Sequence, residues 1–252
     1  MIKEIKTGKL TTLIFENRDE MGKAAASAAK EAINSVLAEK EYANVIFAAA
    51  PSQNDTLHYL LKEDIDFTRI NAFHMDEYVG LSIKDNQSFA TYLTEHIFSK
   101  APFKSVNLIP AAEDKEVACE KYTKLLTENP VDVVLMGIGE NGHIAFNDPP
   151  VADFNDDKVI KVVELDEICR MQQVHDGCFK SIDLVPTHAL TLTIPTLVGA
   201  KALICTVPCE TKAAAVKATL NDEISTKCPS TIMRLHDNAK MFLDKDSAKD
   251  VL

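Results

Sequence analysis

Short apolar runs alternate along the chain with longer stretches whose apolar residues recur at helical spacing. Thr11–Glu16, Val45–Ala50, Ile70–Met75, Val106–Ile109 and Asp132–Gly137 read as strands. So do Val159–Glu164, Leu190–Ile194, Ala202–Val207 and Lys240–Leu243. Several of these, such as Val45–Ala50, are apolar at every position, as a strand covered on both faces must be. Between them, helical stretches fit Asp19–Lys40, Ser52–Glu63, Asp114–Glu128 and Thr211–Asn221. Strand–helix alternation predicts βαβ crossovers: an α/β fold, a mostly parallel open sheet with helices on both faces. Pro149–Lys158 is the longest irregular stretch and reads as a loop beside a site. No repeat or Ser/Gly-rich linker divides the 252 residues, so one domain over 1–252 is expected.

In an open parallel sheet, ligands lie beyond the carboxyl ends of the strands. Three strand ends run out into suggestive residues. In FAAAPSQND (47–55), Ser52, Gln53 and Asn54 open a helix. Free amides and the helix dipole there suit a phosphate, although the same residues are ordinary caps. In FHMDEYVGL (73–81), Asp76 and Glu77 follow the strand directly, as a general base with its neighbour or as a loop cap. In DVVLMGIGENGHIAFNDPP (132–150), three of the eight glycines, Gly137, Gly139 and Gly142, fall within six residues. Their GxGxxG spacing is that of dinucleotide-binding loops, but no helix pattern opens from them. His143, with Asn147 and Asp148 close behind, reads instead as an imidazole with orienting partners, and a satisfied structural His is the alternative. Lys212 adds a cation at a helix start, where the dipole opposes it unless an anion is nearby.

Composition narrows the classes. Hydrophobic residues make up 46%, enough for a sizeable core. With 27 Lys+Arg against 38 Asp+Glu the net charge is −11, which disfavours nucleic acid and anionic membranes as partners. An anionic ligand must therefore be caught by a local basic site. No run approaches the length of a membrane span, and the start lacks a signal-peptide pattern. The six cysteines show neither CxxC pairs nor zinc-finger spacing. A cytoplasmic protein with free, mostly buried thiols is expected.

Taken together, FHMDEYVGL and GIGENGHIAFNDP resemble the MDEY and GxGx(D/N)GHIAFN(E/D)P motifs of the glucosamine-6-phosphate deaminase/isomerase family, related to the 6-phosphogluconolactonases. THALTLTIPTL (187–197) and ETKAAAVKA (210–218) match later family segments, so the likeness spans nearly the whole chain. The resemblance implies a Rossmann-like enzyme that converts glucosamine 6-phosphate to fructose 6-phosphate and ammonia. It implies that Asp76 moves the proton between C2 and C1 and that His143 opens the sugar ring. Asp148 would orient His143, and Lys212 with the Ser52–Asn54 turn would hold the 6-phosphate. Glu77, Gly137 and Gly139 complete the expected lining, and neither a metal nor an organic cofactor is implied.

The chain departs from the family pattern at several positions. Asn141 stands where relatives carry an acid, APSQND replaces a TGST-like loop, and Gly177, Cys178 and Phe179 stand where a lid Arg is usual. Arg170 is the only Arg near that segment, and no counterpart of the family's allosteric site is found. Another hexosamine phosphate, such as galactosamine 6-phosphate, or a lactone is the nearest alternative substrate. A non-catalytic sugar-phosphate sensor would carry a basic helix-turn-helix ahead of the domain, whereas here the first strand is expected near residue 11. Small-molecule substrate is the only partner the sequence calls for, and a homo-oligomer is compatible with it.

Overall fold

The computed structural model describes residues 1–165, 167–175 and 177–252. Strands are β1 (Lys3–Thr7), β2 (Leu10–Phe15), β3 (Ala43–Phe47), β4 (Ile70–His74), β5 (Asp76–Tyr78) and β6 (Ser105–Asn107). They continue with β7 (Val133–Met136), β8 (Ile160–Glu164), β9 (His188–Leu192), β10 (Ala202–Val207) and β11 (Ala239–Asp244). The α-helices are α1 (Arg18–Glu39), α2 (Asn54–Leu60), α3 (Phe89–Leu93), α4 (Lys115–Glu128), α5 (Glu167–His175), α6 (Ile194–Val198) and α7 (Ala213–Asn221).

Eight strands form one sheet in the order β1-β2-β11-β10-β7-β3-β4-β6. Only β1 runs antiparallel to its neighbour; every other pairing is parallel. The all-apolar strands explain themselves here, because successive side chains enter different cores. Val133 and Leu135 pack with Phe47, Ala202 and Ile204 beneath the alanines of α1. Val134 and Met136 face the other way, with Ile46, Leu203 and Met241, toward Tyr122 of α4 and Val216 of α7. The expected parallel sheet with helices on both faces is present.

The structure corrects the sequence reading in one respect that matters for the site. The segments expected as two further parallel strands are β8 and β9, which leave the main sheet. With β5 they build a separate three-stranded antiparallel sheet, in the order β5-β9-β8. The chain quits the main sheet at His74 and enters the small one at Asp76. Residues 149–158 fold back on that small sheet: the Lys161 ammonium on β8 donates to the Val151 carbonyl and to Asp156 Oδ2, at 2.7 and 2.8 Å. No residue of that loop lines the cavity described below.

Helix boundaries follow local chemistry. Asn17 caps α1 by accepting the Glu20 amide, and Asp114 caps α4 by accepting those of Glu116 and Val117. The expected helix at Ser52 is instead a 3₁₀ turn, Pro51–Gln53, leading into α2, and Lys212 likewise ends a 3₁₀ turn before α7. No helix among the described residues is long and apolar enough to cross a membrane.

Candidate active site

The carboxyl ends of four adjacent central strands, β10, β7, β3 and β4, open into one cavity. Ser52 comes from β3, Asp76 from beyond β4, Gly137 and Gly139 from β7, and Lys212 from beyond β10. His143 completes the set. These are the strand ends that the sequence singled out, and the sheet brings them together.

The glycine-rich loop shapes the His end. Gly139 lies under the His143 ring, and a Cβ there would run into Cε1, Nδ1 and Nε2 of the imidazole. Gly142 takes φ +80°, where a side chain would also meet the Cys228 sulfur at 2.5 Å. No helix starts from these glycines: residues 137–150 form turns closed by a bridge between Ile144 and Asn147. The fully buried Asn147 amide donates to the carbonyls of Ile144 and Leu192, tying the loop to β9. Phe146 adds an aromatic nest with Tyr78 and Phe89 under the cavity.

His143 Nδ1 lies 2.8 Å from Asp148 Oδ1, although a hydrogen on Nδ1 is not aimed in line at that oxygen. Asn141 clamps the pair, donating from Nδ2 to Asp148 Oδ1 at 2.9 Å while its Oδ1 accepts the His143 amide at 3.0 Å. Burial on its own raises the Asp148 carboxyl, but contacts with His143, Asn141 and Cys169 outweigh it and hold the group below its ordinary range. Asp148 is thus an anion beside the imidazole. His143, Asp148 and Cys169 place ligand-type atoms within 4.8 Å of one another, the one grouping among the described residues spaced to take a metal ion.

Asp76 is the opposite kind of carboxyl. Burial, and then the neighbouring Glu77, push it well above the usual range. A carboxylate that binds its proton this strongly is suited to taking one from carbon. It sits opposite Thr191 across the β5–β9 pair, and Thr191 Oγ1 accepts the Phe146 amide at 3.0 Å. The segment around Thr191 therefore joins the Asp76 strand to the His143 loop.

Five sequence-selected residues do not line the cavity: Asn141 and Asp148, which contact His143, and Glu77, Gln53 and Asn54. Glu77 turns inward and accepts the amides of Tyr78, Phe89 and Ala90, capping α3. Burial raises its carboxyl to about 7 against the pull of those amides. Gln53 is buried against β10, where it accepts from the Thr206 hydroxyl at 2.8 Å and donates to Ser52 Oγ at 3.1 Å. Asn54 accepts from the Tyr92 hydroxyl. The cap reading fits Glu77, and Gln53 and Asn54 brace the turn that presents Ser52. His74, by contrast with His143, is a core residue: burial lowers it to about 3 and its Nε2 accepts the Ile109 amide.

Sequence reasoning missed Arg18, Phe89, Gln172 and Gln173, all of which line the cavity. Arg18 follows the end of β2, so the strand-end rule extended to TTLIFENR points to it. The two glutamines lie on α5, where nothing in the local pattern announces a site; Gln172 Oε1 accepts the Glu140 amide at 3.0 Å.

Known proteins share this chain's sequence pattern and fold. The family model for glucosamine-6-phosphate isomerases/6-phosphogluconolactonase matches residues 16–242. A glucosamine-6-phosphate deaminase of Listeria welshimeri is 35% identical over 208 residues, which cover 81% of this chain and 86% of that protein. One from Enterococcus faecalis is 33% identical over 235 residues, covering 92% and 96%. Among solved structures, a monomeric glucosamine-6-phosphate deaminase superposes with a TM-score of 0.86 at 29% identity, over 94% of this chain and 98% of that one. A 6-phosphogluconolactonase from Thermotoga maritima superposes at 0.77 with 20% identity, over 94% and 100%, a likeness of fold alone.

Proposed function

This chain belongs to the glucosamine-6-phosphate isomerase/6-phosphogluconolactonase family, and from that premise we propose that it is an enzyme converting glucosamine 6-phosphate and water to fructose 6-phosphate and ammonia. The observation that carries the reading is one cavity lined by a proton-avid carboxyl, Asp76, a carboxylate-backed imidazole, His143, and a buried cation, Lys212.

In this reading the phosphate binds at Lys212 and the Ser52 turn, and that remote contact fixes the reacting carbons near Asp76. His143, held by Asp148 and Asn141, passes a proton from O1 to the ring oxygen and opens the ring. Asp76 takes the proton from C2 as O1 takes one from His143, giving the enolamine, and Asp76 then gives its proton to C1; His143 recovers a proton from the water that adds at C2. The C2 enolamine becomes an iminium, water adds to C2, and ammonia leaves with the proton balance restored. Proton transfers between a carboxyl and an imidazole suffice for every step, so the reading calls for neither metal nor organic cofactor. Residues 1–252 act as one domain, working in the cytoplasm on a small amino-sugar phosphate.

Three substrates offered to the purified protein test the reading. Ammonia release from glucosamine 6-phosphate should exceed that from galactosamine 6-phosphate, and 6-phosphogluconolactone should hydrolyse no faster than its background. Turnover in deuterium oxide should place deuterium at C1 of the product to the extent that the Asp76 proton exchanges with solvent before it reaches C1. A protein that opens the lactone and releases no ammonia is a lactonase, and one that binds the sugar phosphate without turnover is a sensor.

A further inference from the structure

Arg18 opens α1 directly after the end of β2, in a first turn that also holds Asp19 and Glu20. The helix dipole opposes a cation there, so its position needs a compensating contact. The guanidinium is half-buried and fixed on several sides. Its Nε donates to Asp55 Oδ2 at 2.6 Å and its Nη2 to the Pro51 carbonyl at 2.9 Å, while Nη1 lies 3.6 Å from Cys209 Sγ. Asp55 is in turn pressed against α1, because a Cβ on Gly22 would stand 2.5 Å from the Asp55 Cβ.

The result is a bridge between two loops. Pro51 precedes Ser52, and the Cys209 carbonyl accepts the Lys212 amide at 3.1 Å. Arg18, Ser52 and Lys212 all line the same cavity. A guanidinium has five N–H donors, and these contacts take three, leaving one on each terminal nitrogen. Such a pair matches two oxygens of a phosphate, which a Lys meets only as a point charge. Asp55 and Asp244 stand close by, so a lone Lys212 would hold a dianion in a locally acidic setting.

We propose that Arg18 is a second phosphate-binding cation, gripping the 6-phosphate together with Lys212, with Asp55 as the residue that aims it. This rests on the reading of the cavity as a sugar-phosphate site. It extends that site to the β2–α1 junction, and it explains how the chain dispenses with an Arg at 177–179.

Calorimetry on the full chain tests this without turnover, using inorganic phosphate and glucitol 6-phosphate as probes. Arg18→Gln alone would leave Asp55 to repel the probe, so the informative variant is Arg18→Gln with Asp55→Asn, which removes both charges together. It should weaken both probes at least tenfold and raise KM for glucosamine 6-phosphate similarly, with kcat changed less than threefold. Wild-type affinity in the double variant, or no phosphate binding by the wild-type protein, overturns the proposal. If the double variant does not fold, Arg18→Lys decides, because it keeps the charge and a partner for Asp55 but loses the fork. Severalfold weaker phosphate binding then supports the assignment, and unchanged binding removes it. Probe binding that depends on Arg18 in a protein releasing no ammonia would retain this proposal and reject the catalytic one. Turnover with probe binding indifferent to Arg18 would do the reverse.

Discussion

At the scale of single residues, two positions carry sharp expectations. Asp76 keeps its proton to higher pH in the folded protein than in the unfolded chain, through burial first and Glu77 second. Between those two ionisations the folded state binds more protons, so stability falls as pH rises through that window. Asp76→Asn cannot ionise and escapes this loss. Its melting temperature should match wild type near about pH 4 and exceed it increasingly toward neutrality. Turnover should fall by about 10²–10⁴-fold, since the amide cannot accept the C2 proton. Thermal melts across pH together with steady-state rates check both halves, and near-normal kcat would remove Asp76 from the base position. Gly139 makes a steric claim. Its missing side chain is the space that the His143 ring occupies. Gly139→Ala should cost about 10²-fold in kcat/KM by displacing the imidazole, because misplacement by about 1 Å has that effect. Gly80, which has φ +88° and open space, should tolerate alanine catalytically while losing some stability to backbone strain.

At the scale of elements, the turn into α7 separates two lysines that look alike in sequence. Lys212 is buried in the cavity wall, and Lys217 is exposed on the outer face of the helix. Lys212→Ala should raise KM at least tenfold with a smaller change in kcat, whereas Lys217→Ala should leave both within twofold, on the order expected for a lost phosphate contact against a solvated charge. Initial rates over a range of substrate concentrations decide it, and equal effects would place Lys212 outside the site. The small antiparallel sheet matters in the same way. It holds Asp76 across from Thr191, so β9 ties Asp76 to the His143 loop.

At the scale of the whole molecule, stability and chemistry occupy opposite edges of the sheet. Asp132, at the amino end of β7, is almost completely buried and accepts the Asn44 amide at 3.0 Å and the Lys40 ammonium at 2.5 Å. Its backbone carbonyl accepts the amides of Lys201 and Ala202, so it joins β3, β7 and β10 at the edge away from the cavity. Asp132→Ala should lower unfolding free energy by about 1–3 kcal/mol through the donors it strands. KM and kcat of the folded variant should stay at wild-type values. Urea melts and rates measured on one preparation test the separation; a matching loss of activity per folded molecule would contradict it.

The sequence by itself determined the class of fold, because uniformly apolar strands separated by helical periods can be buried only in a parallel sheet covered on both faces. It also singled out strand ends that the sheet brings to one place: Asp76, His143, Ser52 and Lys212 line one cavity, with Asn141 and Asp148 against His143. Tertiary structure decided the rest. Whether Glu77, Gln53 and Asn54 face the cavity or cap and brace it depends on partners at Phe89, Thr206 and Tyr92, which are far away in sequence. Whether β8 and β9 join the main sheet depends on their partner β5, which pairs with β9 more than a hundred residues away in sequence. Arg18 reaches the cavity only because β2 and β3 end on the same side of one sheet and α1 packs against Asp55 through Gly22. Local pattern specifies what a residue can do, and long-range packing, which sequence spacing does not encode, specifies what stands opposite it.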